Sequence, residues 1–199
     1  MVNYQEEIKR IKSYAVKENV PIIQDDGIKF LTKFIIDNNI KNILEIGTAI
    51  GYSAIMMASI NNTIKITTVE RDDTRYLEAV KNIKACNLED RINLIFKDAL
   101  ELKLDDKYDL IFLDAAKAQN INFFNNFKNN LNENGVIITD NMYFHGFVNK
   151  PEEEIESKNV RALVRKIKDY REFLENNEEY QTTFLDVGDG IAITTRKNS

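Results

Sequence analysis

Asn42-Ile43-Leu44-Glu45-Ile46-Gly47-Thr48-Ala49-Ile50-Gly51-Tyr52-Ser53 reads as a strand, a turn and the start of a helix. Gly47 lets the backbone turn tightly and approach a ligand, and Gly51 is expected to permit close helix packing. Downstream come four more short apolar or alternating runs, at Ile64–Val69, Ile92–Phe96, Leu110–Leu113 and Val136–Thr139, each followed by a helical pattern. Strand–helix alternation of this kind predicts a parallel sheet covered on both faces. Upstream, residues 4–17 carry Ile8, Ile11 and Ala15 at helical spacing. After Pro21, the stretch from Asp26 to about Asn38 carries Ile28, Leu31 and Ile35 on one face, with Asp25 or Asp26 as its cap. The end of the chain departs from the alternation. After a helix at about 158–176, Gln181–Val187 and Ile191–Thr195 flank Gly188-Asp189-Gly190 as a β-hairpin, so one late strand must run antiparallel. The expectation is a Rossmann-like α/β domain with a seven-stranded, mostly parallel sheet.

The 199 residues suffice for one domain with a substantial core and are short for two. We read 1–199 as a single unit whose first 38 residues cover the binding side of the sheet. No apolar run reaches membrane-spanning length, and the opening MVNYQEEIKR has no secretory apolar region, so the expected location is cytoplasmic, away from membranes. Cys86 is the only cysteine and lies in a helical stretch with Val80 and Ile83, which excludes a disulfide framework and suggests a buried structural thiol. His145 is the only histidine, which excludes a site needing two. A net charge of −5 argues against a globally basic nucleic-acid coat and leaves a local basic patch open.

The turn after the first strand lacks the middle glycine of GxGxxG that makes room for a pyrophosphate, and it places Glu45 just before the turn. A carboxylate there repels a pyrophosphate and suits a cationic cofactor; S-adenosylmethionine carries a sulfonium and an ammonium. Glu70 ends the second strand, where a carboxylate can accept both ribose hydroxyls. Asp98 follows the third strand and can accept from an adenine amino group. Ser53, beside the helix start, can help hold the cofactor's carboxylate. Any one of these acids alone reads as a solvated strand end. Three at successive strand C-termini, where ligands bind in open α/β sheets, are harder to dismiss.

Tyr108-Asp109-Leu110-Ile111-Phe112-Leu113-Asp114-Ala115-Ala116-Lys117 forms the fourth strand and its exit, and Gly135-Val136-Ile137-Ile138-Thr139-Asp140-Asn141 the fifth. In this fold the two are neighbours. Two carboxylates brought together in a cleft repel unless a cation or a proton lies between them. Asp114, Asp140 and Asn141 can fill three sites of an octahedron around a Mg²⁺-like ion, with Lys117 beside them.

The segments EIGTAIGYSA, YDLIFLDAAKAQN, GVIITDNMYFHG and VGDGIAI together resemble the catechol O-methyltransferase-like family of S-adenosylmethionine-dependent enzymes, over about Pro21 to Arg196. The resemblance implies the class I methyltransferase fold, Asp114, Asp140 and Asn141 as metal ligands, and Lys117, with Asp114, at the reacting hydroxyl. It implies cofactor contacts at Ile22 or Ile23, Glu45, Gly47, Tyr52, Ser53, Glu70, Asp98 and Asp114, and a homodimer, the common state of relatives. Lys97 stands before Asp98 where relatives often have glycine. His145 reads as a loop histidine lining the cleft, in a structural or substrate-contacting role.

The acceptor needs two oxygens on adjacent carbons to chelate the ion. A catechol offers them, and so does 5-hydroxyuracil. Residues 158–171, KNVRALVRKIKDYR, hold six basic residues against one acid. Val160, Leu163, Val164 and Ile167 form the buried stripe, and Lys158, Arg161, Arg165 and Lys168 share an adjacent face. A basic stripe beside the cleft suits phosphates; the plain alternative is a solvated helix face. KNVRALVRKIKDYREFL followed by VGDGIAI also resembles the bacterial tRNA 5-hydroxyuridine methyltransferase branch, which implies the tRNA anticodon region as partner. The rival expectations are a small catechol-like phenol as acceptor, a non-catalytic cofactor- or RNA-binding module, which the intact ligand set disfavours, and a nicotinamide oxidoreductase, which the missing glycine disfavours.

Overall fold

The computed structural model describes residues 4–197; residues 1–3 and 198–199 of the expected domain lie outside it. Helices α1 (Tyr4–Lys17) and α2 (Asp25–Asp37) precede strand β1 (Asn42–Ile46). Then follow α3 (Tyr52–Ala58), β2 (Lys65–Glu70), α4 (Asp73–Ala85), β3 (Ile92–Phe96), β4 (Tyr108–Leu113), α5 (Asn120–Phe127), β5 (Leu131–Thr139), α6 (Lys158–Glu175), β6 (Tyr180–Leu185) and β7 (Ile191–Arg196). The seven strands lie in the order β3-β2-β1-β4-β5-β7-β6, and β7 alone runs antiparallel to its neighbours. The expected seven-stranded sheet with one antiparallel late strand is thus what forms.

The apolar runs are continuous because both faces of the sheet are covered. Along β4, Leu110 and Phe112 join one core with α1, α2 and α3, while Ile111 and Leu113 join the other with α5 and α6. Neighbouring strands repeat the alternation: Val136 and Ile138 of β5 face the first core, Ile137 the second. Each slip of one residue would exchange the two sets, so packing fixes the register. Chain order reverses between β1 and β4. The C-terminal ends of these adjacent strands therefore diverge into a crevice, the place where open α/β sheets bind ligands.

Three local expectations differ from the structure. The N-cap of α2 is Gln24, without a side-chain cap bond; Asp25 and Asp26 are the first two helical residues, where Asp25 pairs with Lys12 and Asp26 with Lys29. Strand β5 starts five residues earlier than its apolar run, at Leu131, since the pairing jumps from Tyr108–Leu131 to Leu110–Val136. The extra residues loop out, and Asn132 Nδ2 donates to Asp109 Oδ1 at 2.6 Å. Gly51 is not required by close packing. A Cβ there would stand 3.5 Å from Ala79, an ordinary contact, whereas its φ of 85° is the left-handed region that favours glycine.

Candidate active site

The crevice holds a cavity of about 560 Å³. Its walls come from the strand ends: Ile46 and Gly47 at the end of β1, Glu70 at the end of β2, Asp98 after β3, Asp114 and Lys117 after β4, and Asn141 after β5. Pro21–Gln24, the link from α1 to α2, closes the side. No substituent fits on Gly47, where φ is 101° and a Cβ would lie 2.4 Å from the Asp114 carbonyl oxygen. The β1 turn and the β4 exit therefore touch backbone to backbone.

At the β2 end, Glu70 is held by three backbone donors. Its Oε2 accepts from Ala49 N at 2.8 Å, and its Oε1 accepts from Arg71 N and Asp72 N at 2.9 Å each. A carboxylate has about four lone-pair positions, so one remains for a ligand hydroxyl. Asp98 Oδ1 accepts from Leu100 N at 2.9 Å and its Oδ2 from Arg71 at 3.0 Å. Those two donors, the backbone one first, hold its carboxyl below the ordinary range. Ile23 and Tyr52 are both buried and both line the cavity.

Glu45 lies elsewhere. It is fully buried beneath the turn, outside the cavity lining. Ser53 Oγ and Thr68 Oγ1 each donate to it at 2.5 Å, and Thr48 and Thr68 share a further bond of 2.6 Å. Desolvation pushes its carboxyl up to about 7. The Glu45 oxygens thus face a buried hydroxyl network rather than the cavity, and the Ser53 hydroxyl bonds to that network from a residue that also lines the cavity.

The chemical end is built differently. The Asp114 backbone N–H bonds to Ile46 O at 3.0 Å and that of Asp140 to Leu113 O at 3.2 Å, which ties the three adjoining strand exits together. Lys117 Nζ donates to Asp114 Oδ1 at 2.7 Å, with both side chains mostly buried. Asp140 is 2 % exposed and stands behind Asp114 and Asn141, outside the cavity lining. Burial first, and then the neighbouring Asp114, push its carboxyl up to about 7, against the pull of Lys117. Two carboxylates thus face one ammonium in a dry setting. Asn141 adds an amide oxygen from a backbone with φ 61°. Among the described residues no three His, Cys, Asp or Glu side chains gather as a metal cluster; the set here is two carboxylates and an amide. Its oxygen-only chemistry and its deficit of positive charge fit a hard divalent cation.

His145 lines the cavity from an exposed position. The basic face of α6 does not reach it. Arg161 donates to the carbonyls of Ile155 and Glu156, and Arg165 pairs with Glu152, so both brace the segment before α6. Lys168 also stands outside the lining. Two groups were given no role at the site from the sequence. Arg71, Arg75 and Lys97 border the β2–β3 side of the cavity. Asp189, buried in the hairpin loop, bonds to Asn141 Nδ2 and to the His145 backbone; its signal was the Gly-Asp-Gly triplet, read as a turn and, within VGDGIAI, as part of the family resemblance.

No helix among the described residues is long and apolar enough to cross a membrane. A family model described as O-methyltransferase matches residues 2–197. A solved structure from Staphylococcus aureus, provisionally designated a caffeoyl-CoA O-methyltransferase, is 40% identical with a TM-score of 0.91, covering 96% of this chain and 92% of that one. An O-methyltransferase from Bacillus cereus, solved in complex with S-adenosylhomocysteine, is 25% identical with a TM-score of 0.82, over 99% and 93%. Among curated proteins, the flavonoid 3',5'-methyltransferase of Vitis vinifera is 27% identical over 96% of this chain and 87% of its own length.

Proposed function

This chain belongs to the O-methyltransferase family, and on that premise we propose that it methylates the 5-hydroxyl of 5-hydroxyuridine at the tRNA wobble position, giving 5-methoxyuridine. The methyl donor would be S-adenosylmethionine and the activator a Mg²⁺-like ion. The observation that carries the chemistry is the imbalance at the exits of β4 and β5, where buried Asp140 and Asp114 share one lysine.

Asp114, Asp140 and Asn141 would hold the ion. When bound, the ion would lower the pKa of the acceptor hydroxyl, and the cofactor's sulfonium would supply an already activated methyl group. The rest falls to the protein. Lys117 has three donors and spends one on Asp114. The other two can face the acceptor oxygen and balance its negative charge; only the neutral amine, with one donor fewer, could take that oxygen's proton. Glu70 and Asp98 would fix the nucleoside of the donor from the far end of the same cavity. Holding both partners in near-attack geometry is worth about 7–11 kcal/mol. No covalent bond to the enzyme is needed.

Support for the tRNA acceptor comes from α6. Lys158 and Lys168 are exposed there beside the two arginines, on a helix with six basic residues against one acid over 158–171. A second reading, a small catechol-like phenol, draws on the names of relatives, which refer to flavonoid and caffeoyl-CoA. The deciding experiment incubates the protein with S-adenosylmethionine, Mg²⁺ and tRNA from a strain lacking this gene, and reads the nucleosides by mass spectrometry. Appearance of 5-methoxyuridine supports the proposal. Turnover of a free catechol with unchanged tRNA moves the assignment to the second reading.

A further inference from the structure

The hairpin loop between β6 and β7 lines no part of the cavity, yet two of its walls lean on it. Gly188 lies against α2, where a Cβ would stand 3.3 Å from the Gly27 nitrogen. Gly190 lies against the loop that follows β5, where a Cβ would stand 2.9 Å from the Tyr143 nitrogen. Two backbone bonds close that second contact: Met142 N donates to Gly190 O at 2.9 Å and Tyr143 N to Asp189 O at 2.8 Å.

Between these glycines Asp189 is 5 % exposed. Its Oδ1 accepts the His145 backbone N–H at 2.5 Å, and its Oδ2 accepts Asn141 Nδ2 at 3.2 Å. The His145 ring nitrogen, at 3.7 Å, is beyond hydrogen-bond reach. An ionised carboxylate offers only lone pairs. The Asn141 amide must therefore show Asp189 its nitrogen and turn its oxygen away. The loop needs fastening as well, because Asn141, Phe144 and His145 hold φ values of 61°, 45° and 54°, a sparsely populated region for residues with a side chain.

We infer that Asp189 is a positioning residue for the cation site: it sets which atom Asn141 presents and holds the loop that carries it. The inference rests on Asp114, Asp140 and Asn141 being the ligands. Asp189 itself touches neither ion nor acceptor. Partners of this kind behind a ligand commonly change metal affinity by about 10–100-fold.

The test titrates the full chain with Mn²⁺, following free ion by electron paramagnetic resonance, with S-adenosylmethionine affinity measured by calorimetry in parallel. Asp189→Asn offers an amide that can pair with Asn141 in either orientation, so Mn²⁺ should bind about 10–100-fold more weakly while cofactor affinity stays within about twofold. Asn141→Asp alone sets two carboxylates face to face and should also weaken Mn²⁺ binding. The double variant restores one donor facing one acceptor, with a carboxylate ligand at position 141, and should bind Mn²⁺ more tightly than either single variant. That rescue is what a packing role would not produce. Unchanged Mn²⁺ affinity in Asp189→Asn, absence of rescue, or equal loss of cofactor and metal binding would each overturn the inference. Wild-type protein that binds the cofactor and no Mn²⁺ would instead overturn the metal reading beneath it.

Discussion

At the β2–β3 end of the cavity every carboxylate is provided for. Glu70 receives three backbone N–H groups and Asp98 one, together with an arginine. At the β4–β5 end Asp114 and Asp140 face a single lysine. The first arrangement is complete before a ligand arrives, so it selects by shape and by the lone pairs left over. The second is short of positive charge, so whatever completes it must bring charge. On the proposed function, recognition and activation would be divided between two strand pairs that flank β1.

Breaking the unbalanced end should have the largest effect. If Asp140 is a ligand as proposed, Asp140→Ala removes it along with a charge that calls for a cation, and we expect methyl transfer to fall by about 10³-fold or more, the scale of losing several kcal/mol of Lewis-acid assistance. Cofactor affinity should hold, since Glu70 and Asp98 are untouched. Steady-state rates beside calorimetric binding of S-adenosylmethionine check both halves. A rate that survives the substitution, or that is indifferent to EDTA, removes the distinction between the two ends.

Glu45 sharpens the contrast because it is buried without any cation. Its carboxyl, raised from the ordinary 4.5 to about 7 by desolvation, favours the protonated form in the folded chain. That contribution is fully present below about pH 4.5 and is lost as pH rises through about 7, worth about 3 kcal/mol. Urea denaturation across pH 4.5–8 should show stability declining through this window for the wild type. Glu45→Gln, which cannot titrate, should flatten the decline. Parallel profiles for the two proteins would mean that Ser53 and Thr68 hold an ionised carboxylate after all.

Much of this was legible in the chain because sheet burial on both faces leaves continuous apolar runs. Ile92–Phe96 needed no adjustment, and the hairpin strands moved by two residues or fewer at each end. The start of β5 was not legible, since Asn132–Gly135 loop out and carry no apolar signal. The strand-end acids were visible, and Asp114, Asp140 and Lys117 as a group; the partners of Glu45 and Asn141 were not. Glu45 meets Thr68 only because β1 and β2 pair in that register, and Asp189 meets Asn141 across 48 residues. Helical spacing put Arg161 and Arg165 on one face. Their use against Ile155, Glu156 and Glu152 depends on how the chain folds back before α6.

The satisfied end can be tested at Glu70. Glu70→Ala strips the partner from three backbone donors and would remove the proposed acceptor for a ribose hydroxyl. A charge-assisted hydrogen bond of about 1.5–3 kcal/mol implies a KM for S-adenosylmethionine about 10–100-fold higher. The kcat at saturating cofactor should stay within about tenfold, because Lys117 and its aspartates remain in place. A fall confined to kcat would reverse the roles assigned to the two ends.

The smallest effect is expected outside the cavity, where the same distinction between engaged and free charge recurs on α6. Arg161 and Arg165 are engaged in bracing 152–156. Lys158 and Lys168 form no hydrogen bond or ion pair to a described residue and are the charges available to a phosphate backbone. Lys158→Glu with Lys168→Glu should lower tRNA methylation several-fold at low salt and reduce the slope of log affinity against log salt by about two, with catechol turnover unchanged. Arg161→Glu with Arg165→Glu releases the segment leading into α6 and should depress both acceptors together. The two double variants therefore separate a nucleic-acid surface from a structural brace on one helix. Equal behaviour toward tRNA and catechol in the lysine pair would assign the whole stripe to solvation and leave the acceptor to be chosen inside the cavity.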